Sequence, residues 1–589
     1  MKRSEVELKD KWALEDIYAS DAEWEKDFKK MSEHAGDAAV YRGKLKDKKE
    51  LLACFKKTDE LGELIERLYA YAHMRKDENV SDPKYMGMSD RAMSLYIAFS
   101  SSLSFLEPEL TSLDEKVLKG YIADKDFAPW AYNLKEILRS KAHILSEGEE
   151  RLLSMASESM GYFQNTFSMI DNVDLPLPVV KDDKGNDLQL THGSYSFLLS
   201  SKDREVRKGA FMGMYGAVKS LINTIASNYT GNVKKDNFYA RARGFKSPLE
   251  QALYGGDIPT AVYDNLIEHV GKNLSAVHDY VRYRKSQLGG ELNMYDMYVS
   301  LVDEADLSLE FEEAFELVKK GLKPLGEDYQ KLLERARSER WMDVYETENK
   351  RSGAYQSGCY GVHPFVLLNY SKTTHDVFTI AHELGHAMHT NYSNSALPYS
   401  QAGYAIFVAE VASTVNEVLL LKYLLSTTED RNMKKFLLSY YLDMFRTTLF
   451  RQTMFAEFEM KAHEMDLRGE PLTPDSLSDM YYELNKKYYG DGVTHNDEIR
   501  YEWARIPHFY TAFYVYKYAT GITSAVNIAN GILKDPKRVE SYKKFLSAGG
   551  TDSPYEILKI AGVDLKTAEP YENAMREFKE TLAELKKLG

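Results

Sequence analysis

The sequence predicts a mostly α-helical fold of many helices in two parts, with a small β element beside one histidine-bearing helix. Three observations predict it. Apolar residues recur at three- and four-residue intervals through most of the chain, which is the helical period. Strand texture, short apolar runs bounded by Gly, Asn and Asp, is confined to two stretches near 177–191 and 351–370. At 589 residues the chain exceeds the length at which one hydrophobic core usually stops growing, so two or more subdomains are expected.

From Leu14 to about Asp171 the pattern is helical, with charged faces alternating with clusters such as Leu51, Leu52, Phe55 and Leu61, Leu64, Ile65, Leu68. Tyr69, Tyr71, Met74, Met86 and Met88 read as core packing. Leu177 to Val180 and Asp187 to Thr191 read as a hairpin whose turn, Lys181 to Asn186, carries the Asp, Gly and Asn that a tight reversal needs. That hairpin sets the expected boundary between an N-terminal helical domain, 1–195, and a second domain, 196–589. Helices resume from Ser201 to Arg337; Ser247-Pro-Leu-Glu250 is a capping signal with Pro at the first helical position, and Asp203 to Lys208 is a solvated face. Between Arg351 and Tyr370, Gly353, Gly358 and Gly361 precede an apolar run, the texture of a small sheet whose edge either supports the next helix or pairs with an extended peptide. The C-terminal third is helical and Tyr-rich, with a second capping signal at Ser553 to Glu556 and a charged helix from Pro570 to Leu588.

Composition narrows the partners. The net charge of -14, from 76 basic and 90 acidic residues spread without long blocks, argues against nucleic acid and against an anionic membrane surface. Two cysteines, Cys54 and Cys359, far apart and without metal-type spacing, indicate a reducing compartment, with Cys359 read as a small buried filler rather than a reactive thiol. The N-terminus has a basic start but no apolar core of a signal peptide, and the apolar stretch Ala402 to Leu425 is broken by Glu410, Asn416, Glu417 and Lys422. A soluble cytoplasmic protein is the expectation.

The chemistry centres on Ser371 to Thr390, which contains His-Glu-Leu-Gly-His at 382 to 386. Four helical residues advance about 400°, so His382 and His386 lie about 40° apart, one turn along the axis, where one metal ion can touch both. Thr373 and Asp376 form a capping box, and Val377, Ile380, Ala381, Leu384 and Ala387 form an apolar face opposite a polar stripe of His375, Thr379, His382, His386 and His389. H-E-x-x-H on a helix is the pattern in which two imidazoles hold Zn²⁺ while the Glu handles the proton of the attacking water.

A catalytic zinc keeps three protein ligands. The long pattern ending in Gly-x-x-His is excluded, because His389 and Tyr392 occupy those positions. Glu410, surrounded by apolar neighbours in Ala405 to Thr414, is favoured as third ligand over Glu417: a lone carboxylate buried there is costly unless it meets a metal. Glu417, two turns along the same face, is either a hydrogen-bond partner of a ligand histidine or a surface carboxylate. A tetrahedral oxyanion needs a further electrophile, and Trp503 to Tyr518 offers His508, placed by Pro507 at a helix start, with Tyr510, Tyr514 or Tyr518.

Taken together, SGAYQSGCYGVHPFVLLNY, HDVFTIAHELGHAMH, IFVAEVASTVNEVLLL and IPHFYTAFYVYKYATG resemble the oligoendopeptidase F group of thimet-type zinc oligopeptidases, over almost the whole chain from Trp12 to Gly550. The resemblance implies a clam-like two-part helical architecture enclosing a deep channel, and one Zn²⁺ held by His382, His386 and Glu410. It also implies Glu383 as general base, and His508 with a tyrosine near Tyr514 as oxyanion stabilisers. The expected function is a zinc-dependent endopeptidase acting on short peptides, with 196–589 as its catalytic domain. A zinc exopeptidase, such as a carboxypeptidase or dipeptidase, and a non-catalytic peptide-binding protein are the alternatives.

Overall fold

The computed structural model describes residues 1–302 and 307–589. The chain is mostly helical, with one two-stranded and one three-stranded sheet among the described residues. Residues 303–306, inside the stretch expected to be helical between Ser201 and Arg337, lie outside the described residues; the chain before them, from Gly289, holds only a short 3-10 turn at Met294–Asp296.

The chain falls into two compact units that are interleaved in sequence. The first comprises Met1–Ala142, Asp306–Tyr423 and Ile528–Val563, and the second His143–Ala305, Leu424–Asn527 and Asp564–Gly589. These boundaries divide the chain elsewhere than at residue 195, and the first unit's core gives the reason. The 31-residue helix Lys48–Glu78 starts at Asp47, whose side chain accepts hydrogen bonds from the backbone of Lys49 and Glu50. Its first half puts Leu51, Cys54 and Phe55 into a cluster with Phe127 and Trp130. Its second half puts Leu61, Ile65 and Leu68 into a cluster that also holds Trp12, Trp24, Phe365 and Leu367. Each of those aliphatic side chains, 3% exposed or less, contributes on the order of 2 kcal/mol by leaving water. The N-terminal helices therefore bury their apolar faces against a strand some three hundred residues later, which makes the two segments one core.

That strand is the centre of the three-stranded sheet. Phe365–Tyr370 pairs parallel with Met342–Tyr345 and antiparallel with Tyr355–Ser357. It reads as a nearly unbroken apolar run because it is covered on both faces. Arg3 fastens the N-terminus to this sheet, with ion pairs to Asp343 at 2.7 Å and Glu78 at 2.6 Å, and Lys350 meets the same Asp343 at 2.8 Å. Both cysteines are buried and unpaired, and burial raises Cys54 to about 11 and Cys359 to about 12, as expected of an inert filler.

In the second unit the expected hairpin is present as Val179–Lys181 and Asp187–Gln189, in register Val180 with Leu188. The Asp182 carboxylate accepts from the backbone of Lys184 and Asn186, and Gly185 takes the left-handed conformation at φ 77° that closes the turn. Ser247 caps the helix Pro248–Gly255 by accepting from Glu250 N at 3.1 Å. Among the described residues no helix is long and apolar enough to cross a membrane.

Candidate metal centre and active site

The helix Thr374–Ala396 carries the two histidines. Thr373 Oγ1 accepts from Asp376 N at 3.2 Å while the Asp376 carboxylate accepts from Thr373 N at 2.9 Å, the reciprocal box that spacing predicted. Burial works against the Asp376 charge, but these bonds and those from Ser371 outweigh it and hold the carboxyl below its usual range. Val377, Ile380, Ala381, Leu384 and Ala387 are buried, as expected. The opposing stripe is shorter than expected: His389 is fully buried and stacks on Tyr404 with ring centroids 3.7 Å apart, so it belongs to the core.

Glu410 and Glu417 lie on the following long helix, Ile406–Thr427. Its closeness to the histidine helix depends on Gly385, the fourth residue of the motif. A Cβ there would stand 2.5 Å from Ser413 Cα and 2.8 Å from Ala412 O, backbone that cannot yield. Asn416 locks the contact, donating to Ala381 O at 3.0 Å and accepting from the Tyr329 hydroxyl at 3.0 Å. Gly385, Asn416 and Tyr329 escaped the sequence reading; the glycine inside an otherwise continuous helix was the available signal.

Three donor atoms converge across this contact. His382 Nε2 and His386 Nε2 are 3.2 Å apart, and Glu410 Oε2 is 3.5 Å from the first and 3.7 Å from the second. Neighbouring ligands of a tetrahedral zinc, with bonds near 2.0–2.1 Å, are separated by about 3.3 Å, so the donor set fits a small divalent cation. Glu417 Oε1 accepts from His382 Nδ1 at 2.6 Å, which settles its role as a hydrogen-bond partner rather than a surface carboxylate and turns Nε2 toward the other two donors. Contrary to expectation, Glu410 is not enclosed by its apolar neighbours. Its side chain keeps 35% exposure, because the apolar neighbours face away from it, so convergence rather than desolvation marks it out.

Charge at the cluster favours a cation. Burial alone would keep His382 neutral, yet its bond to Glu417 and the charges of Glu417, Glu383 and Glu410 raise it to about 9. Burial and the neighbouring His382 charge lower His386 to about 3. Glu383 is 7% exposed and its Oε2 has no partner in the protein. Burial first, then Glu410 and Glu417, raise it to about 7, against the pull of His382 and the Gln356 backbone N–H.

His508, Tyr510, Tyr514 and Tyr518 belong to the second unit. Pro507 does open a helical segment, but Pro507–Tyr510 is a four-residue 3-10 turn, too short to give His508 the field of a helix terminus. Tyr510 is committed elsewhere, its hydroxyl accepting from Asn228 Nδ2 at 3.2 Å and its ring stacked on Phe167 at 4.5 Å. His508 stands between Tyr514 and Tyr518, ring centroids 5.8 Å from each. The Tyr518 hydroxyl lies 3.3 Å from His508 Nε2, whereas the Tyr514 hydroxyl has no hydrogen-bond partner among the described residues. Phe513, at φ 59°, turns the chain between His508 and Tyr514; its N–H donates to the buried Glu459 at 3.0 Å. Burial, then Arg451, lowers His508 and keeps its imidazole neutral.

The model of peptidase family M3 matches residues 197–577, and a model described as oligopeptidase F matches 109–176. Oligopeptidase PepF of Bacillus subtilis is 44% identical over 590 residues, covering 100% of this chain and 88% of the relative. A crystal structure of a Chlamydophila abortus protein is similar with a TM-score of 0.94 at 35% identity, covering 100% of both chains. The oligoendopeptidase-F structure from Enterococcus faecium is similar at 0.74 and 34% identity, covering 96% of this chain and 99% of its own.

Proposed function

This chain belongs to peptidase family M3 and is a metalloendopeptidase, and from that premise we propose that it uses one Zn²⁺ to cut internal bonds of short oligopeptides. His382, His386 and Glu410 are the ligands of this reading. The observation that carries it is the triangle of 3.2, 3.5 and 3.7 Å between their donor atoms. Zinc held there would polarise the scissile carbonyl and lower the pKa of a water toward about 7.

The chain's own residues do the rest. Glu417 fixes the His382 ring through Nδ1, leaving the Nε2 lone pair for the metal. Glu383, buried beside the histidines with its Oε2 uncommitted, takes the proton of the attacking water and passes it to the departing amine. His508 and Tyr514 donate to the developing oxyanion; the neutral imidazole and the uncommitted Tyr514 hydroxyl support that pairing over Tyr510. Tyr355–Ser357 is an edge strand, paired on one side by Phe365–Tyr370, and an extended peptide can add main-chain hydrogen bonds along it. We place the enzyme in the cytoplasm, on the support of two buried, unpaired cysteines.

Metal analysis coupled to mass-spectrometric mapping of a peptide blocked at both ends tests the reading. Internal cleavage by protein carrying one zinc is the expected result. Cleavage only when a terminus is free would select the exopeptidase alternative, and no cleavage by zinc-loaded protein would select the binding protein.

A further inference from the structure

A cavity of about 310 Å³ inside the second unit carries more positive charge than its own side chains neutralise. Its wall includes Tyr195, Tyr215, Arg451, Glu502, Arg505 and His508. Glu502 is the carboxylate of this wall, and both its oxygens are engaged: Oε1 accepts from Arg451 Nη2 at 2.6 Å and Oε2 from the Tyr481 hydroxyl. Arg505 is different. It makes no hydrogen bond or ion pair among the described residues, its Nε is shut off from solvent without a partner, and its guanidinium rests over the Tyr195 ring at 4.9 Å. Two guanidinium groups thus face one carboxylate. An unpaired guanidinium in an aromatic-walled cavity is costly to keep, and its planar fork of donors matches a carboxylate in two-point contact.

We propose that this cavity is a carboxylate-binding subsite for the peptide substrate, with Arg505 as its anchor. The inference rests on the peptidase reading above. A peptide offers that chemistry from two sources, the C-terminal carboxylate and an Asp or Glu side chain. Because His508 lines the same wall, the carboxylate belongs to a residue near the bond being cut. Tyr195 backs the guanidinium and leaves its edge to the ligand, an arrangement that favours the flat carboxylate over a bulkier anion.

Four N-terminally blocked peptides of one sequence test it: the free acid, its C-terminal amide, and two amides carrying Glu or Gln beside the cleavage point. Wild-type enzyme is expected to favour the acid over the amide, or Glu over Gln, by about tenfold or more in kcat/KM; the pair that responds names the source. In Arg505→Gln that ratio falls below about twofold, and Arg505→Lys keeps part of it. Calorimetric binding of the same peptides to zinc-loaded Glu383→Gln protein, with Arg505 intact, gives the same order without turnover and decides the matter if Arg505→Gln fails to fold. Ratios near one in wild type and in the calorimetry, or a ratio undiminished in folded Arg505→Gln, overturn the subsite. Absence of hydrolysis of all four peptides by zinc-loaded wild type would instead strike the peptidase reading.

Discussion

The metal centre and the His508 region present opposite structural styles. Around His382 and His386 two long helices meet at Gly385, and the groups that fix these helices and the His382 ring answer one another: Asp376 with Thr373, Glu417 with His382, Asn416 with Ala381 and Tyr329, while Glu383 Oε2 and the His389 ring nitrogens are left without hydrogen bonds among the described residues. Around His508 the chain is irregular, with a 3-10 turn, a left-handed Phe513 and groups left without partners, among them the Tyr514 hydroxyl, Arg505 and one oxygen of Glu459. A site that must hold an ion at fixed distances is built from rigid, satisfied elements. On the proposed reading the groups around His508 meet the substrate and keep their bonding capacity for it, and the fold bears the cost.

The contrast can be broken at several points. The largest expected effect is on Glu383. Glu383→Gln retains zinc by metal analysis but loses about 10³-fold or more in kcat, since the amide cannot take a proton; near-normal turnover would remove the mechanism. Next are the helices that hold the ion. Gly385→Ala forces a Cβ against Ser413 backbone, so zinc affinity falls by two orders of magnitude or about that, with a loss of about 1–3 kcal/mol in urea unfolding. Unchanged zinc retention would mean that the helices have slack. Glu417→Gln weakens the His382 bond alone and costs about 10- to 100-fold in zinc affinity.

In the second region, Tyr514→Phe is expected to lower kcat by about 10²-fold with little change in zinc content, and Tyr518→Phe by less. The reverse order would transfer the oxyanion role to Tyr518. The smallest effects concern pH and have opposite signs in the two regions. Asp376 has a lowered folded pKa, so its contribution of about 1 kcal/mol is present above the unfolded value near 3.9 and is lost as pH falls. Asp376→Asn should therefore cost stability at pH 7 and little at pH 3. Glu459 is raised well above the usual carboxylate range by burial, so its contribution is full below about pH 4.3 and fades as pH rises. Stability of Glu459→Gln relative to wild type should accordingly improve with pH in urea titrations, and a flat comparison would show that Glu459 is already accommodated as an anion.

Legibility in the sequence follows the same division. The H-E-x-x-H face, the Thr373 to Asp376 box, the hairpin with its Asp and Gly turn, and the mostly helical class were readable because each rests on spacing within one regular element. Burial does not single out Glu410, which keeps 35% exposure; helical spacing, which puts it and Glu417 on one face, is what brings it beside the histidines. His389 departs from expectation for the converse reason. Its place in the stripe satisfied the period, but stacking on Tyr404 pulled it into the core. The expected boundary at 195 came from the hairpin, a local signal, whereas the compact units are set by Trp12, Leu61 and Ile65 packing with Phe365, a pairing across some three hundred residues.

The sequence by itself determined two candidate ligand histidines, a glutamate between them, two candidate carboxylates seven residues apart and a mostly helical fold, because helical periodicity is a property of local order. Only the tertiary structure decided which carboxylate oxygen meets the imidazoles, why Gly385 must be glycine, which tyrosine near His508 is uncommitted and that Arg505 makes no hydrogen bond or ion pair among the described residues. Each of these depends on how close two segments distant in sequence come to one another, and that distance is fixed by packing of the whole core.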